Sequence, residues 1–320
     1  MDLANMLYDG RLDASFPLDR DLPFTRQQAL DAGVSRRALD RLLTEGLLRR
    51  PVKGVYIATD VPDTVAVRAA CLRLVVPDDC VVVDRHAGWL HGAQMILAPG
   101  EHLALRPLSL FRPSGHGRVR NDLSSSGERN LRPDDIVEVH GLRVSSPLRT
   151  AWDLGRVRWT DEAIAGLDAM LRLPAVDRDE LVAGVERFRG MRWVTVLRAI
   201  APLADGRSES PGESVLRLRC IEANVRVVPQ VEVRRGGRLV ARLDLADEES
   251  RLGLEYDGRE WHSNDDQVAH DRRRRGLLIE EGWTIRALVA EDVFGRARQC
   301  DQIIRQAAAK ARGGRHLRLI

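Results

Sequence analysis

The sequence predicts a multidomain α/β and α+β chain, and three observations carry that expectation. A helix, turn, helix and hairpin open the chain, a mixture of helical and extended segments fills the centre, and an α-β-β-β-α-β-α order closes it. The 320 residues, 44% hydrophobic and 30% charged, suit several globular domains rather than a disordered chain. No run approaches the ~18 apolar residues of a membrane helix, and MDLANMLYDG lacks the basic start and apolar stretch of a secretion signal. Cys71, Cys80, Cys220 and Cys300 form no CxxC pair, so they read as reduced thiols of a cytoplasmic protein without membrane contact. Lys53 and Lys310 are the only lysines among 50 basic residues. Arginine suits bidentate phosphate contacts, yet a genome rich in G and C also favours its codons, so placement has to decide.

The first twenty or so residues show no periodic element. In PFTRQQALDAGVSRRALDRLLTEGLLRRPVKGVYI, Thr25 caps one helix, which Gly33 stops, and Ser35 caps a second with Ala38, Leu39, Leu42 and Leu43 on its apolar side. Leu47-Leu48, a Pro-Val-Lys-Gly turn and Val55-Tyr56-Ile57 then read as a β-hairpin, completing a winged helix-turn-helix pattern. Arg36, Arg37 and Arg41 lie on the candidate recognition helix, and Arg49, Arg50 and Lys53 in the wing can contact phosphates. A basic face also serves solubility, and winged helices also join proteins, so both roles stay open. This segment resembles the winged-helix domain of the AbiE-type antitoxin family, whose related domains bind DNA and in some cases regulate a toxin operon. DRHAGWLHGA is similar to that family's continuation, with His86 and His91 packing or hydrogen bonding rather than binding metal.

The expected domains are 1–60, a winged helix-turn-helix with an N-terminal extension; 61–205, a mixed α/β middle region without assigned chemistry; and 206–320, a compact α/β unit. In the middle, 65–75, 85–90, WTDEAIAGLDAMLRL and RDELVAGVERFRG read as helices, while 80–83, HLALRPL and IVEVHGLRVSS read as strands. RPSGHGRVRNDLSSSGERN reads as an exposed loop and LADGRSESPG as a linker. Beyond the linker come a helix over 213–223, the strand VVPQVEV, a turn at 235–238, VARLDLADEE, LGLEYD, a helix over 265–281, TIRALV and a last helix over 291–309.

Strand alternation sends Glu255 and Asp257 of LEYDGREWH to one face, and Asp244 on the preceding strand can sit opposite Glu255. Neighbouring carboxylates repel unless a cation joins them, and oxygen-rich sites suit magnesium, with manganese as a substitute. The competing reading is a solvated sheet end, since Asp247, Glu248 and Glu249 follow Asp244 in a turn. The pieces SPGES, PQVEV, ARLDLA, LEYDGREWH, DQVAHDRRRR and EEGWTIRAL resemble the very-short-patch-repair endonuclease-like family within the PD-(D/E)XK nuclease superfamily, which implies a restriction-endonuclease-like core. The resemblance makes Asp244 and Glu255 metal ligands, adds the Tyr256 carbonyl, and places Glu213 on the first helix facing the metal. Asp257 stands where that superfamily usually has lysine, and His262 matches a catalytic histidine that follows tryptophan.

Each of these residues has a second reading. Glu213 completes a capping box with Ser210 and Pro211. His262 either passes protons or is anchored by stacking on Trp261, and Asp257 either binds metal or orients His262. Gln267 and Arg274 share roughly one helix face, Arg272 belongs to a four-arginine run that is either a phosphate contact or a solvated face, and Arg286 can reach a phosphate from the next strand.

The leading expectation is a magnesium-dependent endodeoxyribonuclease on double-stranded DNA, in repair or defence, with RNA and a toxin or repair-protein partner left open. The alternative, favoured by the missing lysine, is a catalytically inactive DNA-binding transcriptional regulator or antitoxin-like protein.

Overall fold

The computed structural model describes residues 2–94, 107–258, 265–294 and 299–316, with the side chains of 265–272 and 314–316 outside that description. It is a mixed α+β protein with several sheets, and it divides into two compact units, 1–95 with 102–153, and 96–101 with 154–320.

The first unit opens with α1 (Leu3–Asp9), which corrects the expectation that the first twenty or so residues hold no periodic element. Its start is fixed by Asp2, whose carboxylate accepts the Asn5 amide at 3.1 Å, and its end by Gly10 in the left-handed region. β1 (Phe24–Thr25) leads into α2 (Arg26–Asp31), where Thr25 and Gln28 cap each other through bonds of 3.2 and 2.7 Å. Then follow α3 (Arg36–Thr44), β2 (Leu48–Arg49) and β3 (Val55–Ala58). β3 is the centre of a three-stranded sheet, antiparallel to β1 on one side and β2 on the other. Met6, Phe24, Leu39, Leu42 and Tyr56 share its core, with Leu3 and Leu7 packed against it, so the i, i+3, i+4 spacing of Leu3, Met6 and Leu7 gives α1 its buried face.

The same unit carries α4 (Val65–Arg73), β4 (Val81–Val82), α5 (Asp84–Leu90), β5 (Leu108–Pro113), β6 (Ser124–Arg129), β7 (Ile136–Val139), β8 (Leu142–Ser145) and all but the last two residues of α6 (Pro147–Gly155), which belong to the second. The sheet order is β6-β5-β4-β8-β7. Two sequence expectations need correcting here. The loop 112–130 contains β6, which pairs in parallel with β5 although its SSSGER sequence has no apolar alternation. HLALRPL lies almost wholly outside the described residues, and the strand proper begins at Leu108. His86 accepts the Ser109 amide at 3.2 Å and His91 bonds the Ser145 carbonyl at 2.7 Å, so both histidines are structural contacts of α5 and its C-cap. Burial holds the His86 ring neutral, its pKa lowered to about 4.

An ion network closes this unit. Arg149 of α6 donates to Asp135 at 2.7 Å and to Asp153 at 2.8 Å, and Arg129 of β6 bridges Asp153 and Asp84 at 2.9 and 2.6 Å. Arg149, Asp135 and Asp153 are almost wholly buried, so their charges depend on one another.

The second unit begins with α7 (Thr160–Leu171), α8 (Arg178–Ala183) and α9 (Val194–Ile200). Gly155 ends α6 under the Leu197 side chain of α9, whose Cδ1 would lie 2.6 Å from an added Cβ, so a larger residue there would force that leucine to shift. α10 (Pro211–Glu222) is tied to α7 by Arg217, whose guanidinium grips Asp168 at 2.7 and 3.0 Å. LADGRSESPG is no free tether: the Asp205 amide donates to Asp168 at 2.7 Å and Arg172 donates to the Ser208 carbonyl.

β9 (Val228–Arg235), β10 (Arg238–Asp247), β11 (Leu252–Asp257), α11 (Asp265–Glu280), β12 (Thr284–Val289), α12 (Ala290–Val293) and α13 (Cys300–His316) complete the chain. The sheet order is β12-β11-β10-β9, with β11 and β12 parallel. Gly236 and Gly237 have φ of 54° and 81°, the two-residue turn that the Arg-Gly-Gly-Arg sequence implies. The expected last helix over 291–309 is corrected to the short α12 and a separate α13 that extends to His316.

Candidate nucleic-acid interface and the C-terminal acidic cluster

Ser35 caps α3 by accepting the Ala38 amide at 3.2 Å. Ala38, Leu39 and Leu42 go into the core, and the remaining turns present Arg36, Arg37, Asp40 and Arg41 to solvent. Arg41 lies 3.8 Å from Glu45, an exposed pairing that contributes little. The three arginines therefore form a basic helix face held down by a buried stripe.

The hairpin residues divide. Arg50 is exposed. Arg49 is half-buried and donates to the Val61 carbonyl at 2.9 Å. Lys53 donates to the Asp122 carbonyl at 2.6 Å, beside Gly54, which packs on Leu123. The tip of the hairpin is thus fastened to the segment before β6, and Lys53 and Arg49 spend their charged groups on the protein itself.

In the second unit, α10, β10 and β11 do bring three carboxylates together. The register that pairs Leu245 with Leu254 carries Asp244 towards Glu255, and the Tyr256 amide donates to Asp244 at 2.8 Å. Burial, with Glu213 and Glu255 nearby, raises the Asp244 pKa to about 6, against the pull of the Tyr256 amide and Arg274. Ser210 caps the Glu213 amide at 3.2 Å, but the expected capping box is completed elsewhere: the Glu213 carboxylate accepts from the Glu209 amide at 2.9 Å and the Gln230 side chain at 2.8 Å rather than from Ser210. A side chain on Gly212 would enter the Tyr256 ring, so SPGES needs glycine there to seat α10 on β11.

Glu255 is nearly buried, and Arg274 of α11 holds both its oxygens at 2.8 and 3.2 Å. Among the described residues, no three His, Cys, Asp or Glu side chains converge as metal ligands. Each of the three carboxylates accepts from protein donors: Asp244 from the Tyr256 amide, Glu213 from the Glu209 amide and Gln230, and Glu255 from Arg274. Asp257 is exposed at the end of β11. Arg286 pairs in register with Leu254, one residue out of phase with Glu255, so it leaves the sheet on the opposite face and cannot stand in for a lysine at the cluster. His262 lies outside the described residues, as do the side chains of Gln267 and Arg272.

Two uncharacterized proteins of Mycobacterium tuberculosis, one from strain CDC 1551 and one from strain H37Rv, are each 31% identical to this chain over 262 residues, covering 81% of it and 92% of their own length. A family model described as a transcriptional regulator, AbiEi antitoxin, matches residues 17–59, which hold α2, α3 and the hairpin. A second, the AbiEi antitoxin C-terminal domain, matches residues 80–203, from β4 through α9. The chain belongs with the two mycobacterial proteins in one family, and two of its segments are similar to AbiEi antitoxin domains.

These AbiEi matches overturn the expectation of a magnesium-dependent endonuclease: the matched families are a regulator and an antitoxin, neither of them a nuclease. The second of them also covers most of the middle region. Its signal in the sequence was DRHAGWLHGA, which sits at the start of the second match. No helix among the described residues is long and apolar enough to cross a membrane.

Proposed function

We propose that the chain is a DNA-binding transcriptional regulator of the antitoxin type, with a winged helix-turn-helix over its first 60 residues. In this reading α3 enters the major groove, Arg36, Arg37 and Arg41 meet base edges and phosphates, and Arg50 on the hairpin meets the flanking backbone. The observation that carries it is the division of α3: Ala38, Leu39 and Leu42 anchor one face while three arginines occupy the other, inside the segment that matches a regulator family. The antitoxin description of both matched families supports a toxin as the protein partner.

Arginine is suited to this task because its planar fork makes two parallel bonds to a guanine edge or a phosphate. Anchoring the helix through buried leucines fixes where those forks point. The test is fluorescence anisotropy of the full chain on duplex DNA from the region upstream of its own gene. Arg36→Ala with Arg37→Ala should weaken binding on the order of tenfold or more. Equal affinity in the double variant would remove α3 from the interface.

A further inference from the structure

The second unit exposes an arginine-rich and aromatic surface remote in sequence from α3. It is built from two short stretches, RVRW at 156–159 and ERFRGMRW at 186–193, which carry five arginines against one acid, Glu186. The stretches meet in space. The Arg156 guanidinium lies 5.1 Å from the Phe188 ring centre and donates to the Arg192 carbonyl at 3.3 Å. The close approach of Gly155 to Leu197, one helical turn beyond Trp193, fixes the same juxtaposition from below.

Each of two tryptophans, Trp159 exposed and Trp193 half-buried, has an arginine against its ring, Arg158 over Trp159 at 4.6 Å and Arg192 over Trp193 at 5.0 Å. Trp159 is 51% exposed, although it is a large aromatic side chain that burial would favour. Trp193 adopts a left-handed backbone with φ 63°, which a bulky residue rarely does. Such strain persists where the surroundings enforce it, and it clusters at binding surfaces. Glu186, the one acid of the two stretches, is already paired, with Arg189 at 2.7 Å and Arg198 at 3.0 Å.

We propose that this surface binds single-stranded nucleic acid. Unpaired bases stack on the exposed indole of Trp159 and the Arg192–Trp193 pair, while the arginines meet the phosphates between them. The occupant must be anionic to match the charge, and it must present flat faces to use the aromatic rings. A duplex offers its phosphates but keeps its bases stacked inside, whereas a single strand offers both. The site shares no residue with α3, so its binding can be tested apart from the duplex contact proposed above.

The experiment is anisotropy of the full chain at low salt with matched sixteen-nucleotide probes of about that length used for single-strand modules: single-stranded RNA, single-stranded DNA and a DNA duplex. Trp159→Ala is exposed enough to fold normally, which a thermal melt verifies, and Arg192→Ala removes charge without touching a core side chain. The expected result is a loss of roughly tenfold in single-strand affinity for each variant, with duplex affinity unchanged. The Arg36→Ala, Arg37→Ala pair should do the reverse. A preference for RNA over DNA would identify a reading of the 2′-hydroxyl, and equal binding would show stacking and phosphate contact alone; either agrees with the proposal. No single-strand binding by the parent, unchanged affinity in both variants, or parallel losses on duplex and single strand would overturn it.

Discussion

Arg274 of α11 holds both carboxylate oxygens of Glu255 on β11, at 2.8 and 3.2 Å, in a cluster that also includes Asp244 and Glu213. The arginine supplies the positive charge that neighbouring carboxylates need, and it comes from the chain itself. Arg274→Ala would leave Glu255 nearly buried beside two other acids. Removing one partner of a well-buried pair costs about 3–5 kcal/mol, and Arg274 is partly exposed, so the expected loss is about 2 kcal/mol. Urea unfolding at neutral pH measures it; a change below a few tenths of a kcal/mol would show that the pair is not holding the cluster.

Asp244 gives the cluster a pH dependence whose sign follows from its raised pKa. With a folded value near 6 against the usual 3.8, the folded chain binds more protons than the unfolded chain between those values. The Asp244 contribution is therefore least unfavourable in acid and worsens as pH rises from about 4 to about 6. Asp244→Asn keeps an acceptor for the Tyr256 amide and removes the charge. After allowance for solvent screening, its stability relative to the parent should rise by on the order of 1–2 kcal/mol between pH 4 and pH 7, then level off. Parallel urea-derived stability curves across that range would contradict the assignment.

The ion network of the first unit predicts a larger effect. Arg149 is 1% exposed, and it satisfies Asp135 and Asp153 together. Arg149→Ala should cost about 3–5 kcal/mol, because two carboxylates lose their shared partner in a low-dielectric site. Calorimetric melting of this variant beside Arg189→Ala, an exposed arginine paired with Glu186, should separate the two clearly. Similar melting temperatures would mean that the buried network is dispensable.

The hairpin makes a contrast that DNA binding can read. Arg50 is exposed, while Arg49 and Lys53 are fastened to carbonyl oxygens of Val61 and Asp122. Arg50→Ala should lower duplex affinity severalfold with little change in melting temperature, on the scale of about 1 kcal/mol for one phosphate contact. Arg49→Ala should act mainly on stability, by about 1 kcal/mol or more for a charged hydrogen bond. A larger affinity loss in Arg49→Ala than in Arg50→Ala would reverse these roles.

Local chemistry made part of this fold legible. Thr25, Ser35 and Ser210 mark helix starts because their hydroxyls satisfy the first free amides, and TIRALV alternates as a strand should. β6 was hidden because SSSGER has no apolar alternation and its pairing with β5 forms it. α1 did carry a signal, Leu3, Met6 and Leu7 at helical spacing after the Asp2 cap, that the short length of the helix obscured. The acids of the C-terminal sheet were correctly brought together by alternation and hairpin register. Their partners were not visible, because Arg274 comes from a helix 19 residues further along and sequence spacing does not say which charge it meets. A constellation of ligand-type residues looks the same in sequence whether a metal or an arginine completes it.

The most direct test of the central claim is the salt dependence of duplex binding by the full chain and by the Arg36→Ala, Arg37→Ala variant. If α3 lies on the DNA with these arginines at phosphates, the logarithm of the affinity should fall linearly with the logarithm of salt concentration, and the variant's slope should be shallower by about 2. Identical slopes and affinities for the two proteins would contradict α3 as the DNA-contacting helix.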